Sequence, residues 1–63
     1  MEKLLDIKQA SEFLNLSINT LYRYIQLQKI PFVKIGKKVL FRVESLEKYV
    51  LMNEKQPLKV LKN

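Results

Sequence analysis

The chain has 63 residues, no cysteine, no histidine and a formal net charge of +6, with 48% of its residues hydrophobic. That length allows one marginally stable domain with one small core, and the composition excludes disulfide staples, thiolate or imidazole catalysis and a cysteine–histidine zinc site. No apolar run approaches the roughly 20 residues that cross a bilayer, and Met1-Glu2-Lys3-Leu4-Leu5-Asp6 returns to charge after two leucines, so no signal peptide and a cytoplasmic location are expected.

The position of the charge says more than its size. Residues 1–16 set Lys3 and Lys8 against Glu2, Asp6 and Glu12, and residues 43–63 set four lysines against Glu44, Glu47 and Glu54. Between them, residues 17–42 carry Arg23, Lys29, Lys34, Lys37, Lys38 and Arg42 with no acid at all. Solubility needs net charge anywhere and gives no reason to exclude acids from one continuous segment. A one-signed surface beside mixed-charge flanks suits a polyanionic partner.

In chain order, Asp6 opens a first helix. Gln9, three residues on, completes a capping-box pattern, and Leu5 with Ala10 can form the hydrophobic staple. Ile7, Ala10 and Leu14 share one face, with Phe13 at its margin, and the small Ala10 lets a second helix cross closely. The helix is expected to stop near Leu14, with Asn15 left-handed just beyond it. Ser17 then caps a second helix over residues 18–27, its hydroxyl accepting from the backbone at Asn19 or Thr20. Leu21, Tyr24 and Ile25 lie on its inner side. The opposite arc holds Asn19, Tyr22, Arg23 and Gln26, side chains able to hydrogen-bond base edges and phosphates. An ordinary solvated face is the plain alternative for that arc, as a helical hairpin that only packs is for the helix pair.

Pro31 forbids continuation of the second helix. Residues 33–41 then read as a β-hairpin around Gly36, the only glycine. A two-residue Gly36-Lys37 turn is possible. A three-residue Gly36-Lys37-Lys38 loop sorts the faces better, setting Ile35 opposite Val39 and Val33 opposite Phe41 with all four toward the core. Either way Lys37 and Lys38 sit at the tip and Lys34 and Arg42 are expected on the outer face, a basic wing able to rest on phosphates. A third helix is expected from about Glu44 to Met52, with Leu46, Tyr49 and Val50 as a core stripe. The fold class is thus mainly α with a small β-hairpin, a winged helix-turn-helix domain over residues 1–52, followed by a flexible tail at 53–63.

The stretch Leu5-Asp6-Ile7-Lys8-Gln9-Ala10-Ser11-Glu12-Phe13-Leu14-Asn15-Leu16-Ser17, then Thr20-Leu21-Tyr22-Arg23, Ile30-Pro31, Val33-Lys34-Ile35-Gly36, Phe41-Arg42 and Leu46, resembles the excisionase-type helix-turn-helix domain, a minimal relative of the MerR-type winged helix. The likeness covers about residues 4–51. It implies a small bacterial, phage or mobile-element DNA-binding protein, either a recombination directionality factor that bends DNA and steers an integrase or a small transcription regulator. By position it implies groove contacts from Ser17, Asn19, Tyr22 and Arg23 and a wing at Lys37 and Lys38. Gln28 departs from the glycine that often ends the recognition helix in the family, and Ile18 and Leu27 stand at positions often basic in relatives. No effector domain or coiled coil is expected to follow, so the resemblance does not imply a metal- or drug-sensing regulator.

The residues expected to touch DNA are therefore Ser17, Asn19, Thr20, Tyr22, Arg23, Gln26, Lys34, Lys37, Lys38 and Arg42. Double-stranded DNA is the expected partner, with an integrase or adjacent copies of the chain as further ones. No cofactor, metal, small-molecule ligand or membrane is expected, and no enzymatic activity, since Ser11, Ser17 and Ser45 have no general base in any recognisable pattern. Two other readings compete: a protein-interaction module working through the third helix and tail, and an RNA-binding domain. Single-strand RNA readers expose aromatic platforms, whereas Tyr22 is the one aromatic here expected to be free.

Overall fold

A computed structural model describes residues 3–56, and its elements run β1 (Leu4–Leu5), α1 (Ile7–Leu14), α2 (Ile18–Gln26), β2 (Val33–Ile35), β3 (Lys38–Arg42) and α3 (Val43–Asn53). The two strands of the hairpin and β1 form a three-stranded antiparallel sheet in the order β1-β3-β2. The architecture is a winged helix-turn-helix.

Local chemistry explains where each helix begins and ends. Asp6 accepts from the Gln9 amide at 2.7 Å while the Gln9 side chain accepts from the Asp6 amide at 3.0 Å, the full reciprocal capping box. Asn15 adopts φ 58 and ends α1, and the Asn15 and Leu16 amides both donate to the Ser11 carbonyl. Leu16 follows, and Ser17 caps α2 by accepting from the Thr20 amide at 3.1 Å. The far end of α2 repeats the left-handed stop at Gln28, φ 55. There the Lys29 amide reaches back to the Tyr24 carbonyl and the Gln28 amide to that of Ile25, the paired bonds of a Schellman motif. A side chain in this conformation costs roughly 1–2 kcal/mol relative to glycine, and those two bonds hold it.

The core is assembled from one residue per segment. Ala10 of α1, Leu21 of α2, Ile30 of the linker, Phe41 of β3 and Leu46 of α3 are buried, with Leu5, Ile7, Leu14, Tyr24, Phe32 and Tyr49 among those packed around them. No polar side chain is buried among the described residues.

The structure differs from the sequence expectations, or adds to them, at four points. The hairpin uses the two-residue Gly36-Lys37 turn, pairing Val33 with Leu40, Lys34 with Val39 and Ile35 with Lys38. The reason is turn chemistry: a three-residue loop needs its left-handed residue last, at Lys38, whereas the residue free to take positive φ stands first, at Gly36 with φ 61. The one-residue difference moves side chains between faces. Lys34 now shares a face with Val39 and Phe41, while Val33, Ile35, Lys38, Leu40 and Arg42 line the other, and Ile35 is 57% exposed rather than part of the core. Second, β1 was not anticipated, because a strand of two residues has no period to read. Its Leu5 pairs with Phe41 and its Leu4 with Arg42. Third, α3 begins directly at Val43, with β3 running into it without a loop and Arg42 as an N-cap that makes no side-chain cap bond. Fourth, Val50 is 47% exposed, so the α3 stripe narrows to Leu46 and Tyr49. Helix α3 also takes in Asn53; the expected tail lies, from Pro57 onward, outside the described residues.

These burials order the stability of variants. Leu46→Ala is expected to cost about 2–5 kcal/mol and Val50→Ala under about 1 kcal/mol, measured by urea unfolding. Ser17→Ala is expected to cost about 1 kcal/mol by loss of the α2 cap, and the same titration reads it.

Candidate nucleic-acid interface

Helix α2 is held at both ends, and that fixes what it offers outward. Its buried side is Leu21, with Tyr24 and Ile25 packed beside it. The outward side is Asn19, Tyr22, Arg23 and Gln26, all exposed, at the i, i+3, i+4, i+7 spacing that makes one stripe on a helix. Tyr22 is 49% exposed, which leaves its phenol and much of its ring open. Arg23 lies in the last turn, where a cation suits the helix dipole. Helix α3 covers neither Asn19 nor Arg23.

At the start of α2 the two hydroxyls are linked. Besides accepting from the Thr20 amide, Ser17 Oγ donates to Thr20 Oγ1 at 2.8 Å. That bond engages the Ser17 proton, leaving the Thr20 hydroxyl proton to point at a partner. Ser17 therefore orients Thr20, which is half-buried, and sequence reading, which placed Ser17 itself in the groove, had no means of seeing this relay. Lys29 is also placed: its Nζ lies 6.0 Å from the centroid of the Tyr24 ring, a cation–π contact at the end of the helix.

The hairpin cations divide between two faces and a tip. Lys37 occupies the turn, and Lys34, Lys37 and Lys38 are all exposed. Because of the observed register, Lys38 and Arg42 share the outer sheet face while Lys34 lies on the other; the outer-face placement expected for both Lys34 and Arg42 holds for Arg42 alone. Arg42 donates to Glu44 Oε1 at 2.9 Å, with the two side chains 49% and 57% exposed. An ion pair so open to solvent is worth about 0–1 kcal/mol. Glu44 is thus one acid bonded to a cation of the 17–42 segment.

Aromatic exposure is broader than expected, since Phe13 is 44% exposed beside Tyr22 at 49%. The two belong to different helices, and no row of rings of the kind that stacks successive bases is formed. Among the described residues no group of three or more acidic side chains could hold a metal ion, and no helix is long and apolar enough to cross a membrane.

Compared with curated proteins and with solved structures, the chain has no significant match to either. A family model described as a helix-turn-helix domain matches residues 4–53, from the first residue of β1 to the last of α3. The chain thus belongs to the helix-turn-helix domain family, an excisionase-type group of DNA-binding domains.

Proposed function

We propose that this protein binds double-stranded DNA sequence-specifically, with α2 in the major groove and the β2–β3 hairpin against the phosphate backbone. The observation that carries the reading is the exposed stripe Asn19, Tyr22, Arg23 and Gln26 on a helix capped at both ends. Asn and Gln can pair bidentately with adenine and Arg with guanine through their major-groove edges. Thr20, oriented by Ser17, donates to a phosphate where the helix enters the groove, and α1 braces α2 from across the backbone. Lys37 and Lys38 supply sequence-independent contacts at the wing, with Arg42 as a further cation on the hairpin.

The finer assignment is an excisionase-like role, as a recombination directionality factor or a small transcription regulator acting in the cytoplasm. One module of this size offers an interface of about 600–1,000 Å², so useful affinity calls for adjacent copies on repeated sites or a DNA-bound partner such as an integrase. A protein-interaction module working through α3 is the competing reading, favoured by the exposure of Leu51 at 66% and Met52 at 84%.

Salt dependence separates the two. Affinity for duplex DNA is expected to fall by roughly 0.9 log units per log unit of salt for each phosphate neutralised, with several such contacts; a flat dependence favours the interaction module. Lys37→Ala combined with Lys38→Ala is expected to weaken binding to all sequences alike. Asn19→Ala or Arg23→Ala is expected to cost about 1–3 kcal/mol on the preferred site and to relax base preference. Equal loss on every sequence for all four changes contradicts the division into recognition helix and wing.

A further inference from the structure

The polar stripe of α2 has an apolar border. Ile18 is 37% and Tyr22 49% exposed. The two stand one turn apart, about 40° round the helix at 3.6 residues per turn, so they edge the face that carries Asn19, Arg23 and Gln26. Ile18 is the first residue of α2, and the helix has no local need for it there. Ser17 before it supplies the cap. The staple positions on either side are Leu16 and Leu21, which already belong to the core or pack on it. A β-branched side chain is a poorer helix former than alanine or glutamate. A first turn also favours acids, of which this one has none.

With α2 in the major groove, as proposed above, the residues at its N-terminal end lie nearest the base edges. Ile18 and Tyr22 are at that end, whereas Leu27, 56% exposed, is the C-cap at the opposite one. The major-groove edge of a base pair offers one apolar group, the C5-methyl of thymine, beside the N6 and N7 atoms of its paired adenine. Asn19 adjoins Ile18 in the chain, and an asparagine amide pairs bidentately with those two adenine atoms. An apolar side chain next to an amide thus matches a thymine–adenine pair, or two adjacent ones. A guanine–cytosine pair has only a hydrogen where the methyl would be. The surrounding segment, residues 17–42, holds six cations and no acid, which favours a polyanion over the apolar surface of a protein as the occupant.

On that reading of α2, we propose that Ile18 is a specificity-determining residue whose side chain, flanked by the Tyr22 ring, seats against the 5-methyl group of a thymine. The contact is apolar on both sides and carries no charge. It therefore adds base preference without adding to the salt dependence that phosphate contacts supply. Its size is that of one buried methyl-sized group, about fourfold in affinity.

The test uses a duplex selected by the 63-residue chain from a random-sequence pool, with each thymine then replaced in turn by deoxyuridine. That change removes the methyl and keeps both the base pairing and the O4 acceptor. The expected result is a loss of about fourfold at one or two neighbouring thymines, with unchanged affinity at the others. In Ile18→Ser, whose amide spectrum checks that the fold is kept, the same replacements are expected to cost nothing further. Binding that is indifferent to every thymine methyl overturns the proposal, as does a selected site that holds no thymine. A methyl-dependent loss that persists undiminished in Ile18→Ser overturns it equally. Those three outcomes leave DNA recognition by α2 standing, whereas a pool from which no sequence is enriched sinks that recognition and this proposal together.

Discussion

The burial of Phe41 is the contact on which the rest of the molecule depends. Phe41 is fully buried on β3, the central strand, which pairs with β1 on one edge and β2 on the other. Both α1 and α3 pack on that strand, and the second helix joins through Leu21, Ala10 and the α1–α2 contact. In a domain of this size the hydrophobic contribution comes from very few side chains. Truncating a buried phenylalanine typically costs about 3–5 kcal/mol, comparable with the whole stability of a small fold. The wing is therefore the outer extension of the strand that organises the core, and its position is set by the same burial that holds α2 in place.

Around that core no polar side chain is buried among the described residues, and the charge is unevenly spread along the chain. All six acids lie before Ser17 or after Arg42, whereas residues 17–42, which hold α2, the linker and the hairpin, contain none. A contact between this segment and an acid, Arg42 with Glu44, forms at the junction where β3 becomes α3. The segment that supplies hydrogen-bonding groups at helical spacing is thus also the one with no internal carboxylate competing for its cations. A family of DNA-binding domains covering residues 4–53 and this charge distribution lead independently to the same partner.

Much of this was legible in the residues, for identifiable reasons. Asp6 with Gln9, Asn15, and Ser17 are chemical signals with one preferred use each, and the structure uses them so. Gln28, noted as a departure from glycine, does take the left-handed conformation and is held by two backbone hydrogen bonds. The hairpin is legible but its register is not, because the apolar pattern favours gathering Val33, Ile35, Val39 and Phe41 on one face whereas the place of Gly36 in the turn decides the pairing. That choice decides which cations share a surface, separating Lys34 from Lys38 and Arg42. Strand β1 and the exposure of Val50 were beyond sequence reasoning: a two-residue strand is defined by its partner, and a helix stripe does not reveal how far the neighbouring elements extend over it. The Ser17–Thr20 hydroxyl bond depends on side-chain rotamers, which no spacing rule encodes.

The central claim is that the acid-free segment from Ser17 to Arg42 is the surface that meets DNA. Amide chemical-shift mapping during titration of the isotopically enriched chain with mixed-sequence duplex DNA tests it most directly. The account predicts that perturbations concentrate in residues 18–26 and 36–38 while those of α3 stay in place. Perturbations centred on α3, with residues 18–26 unmoved at saturating DNA, would contradict it.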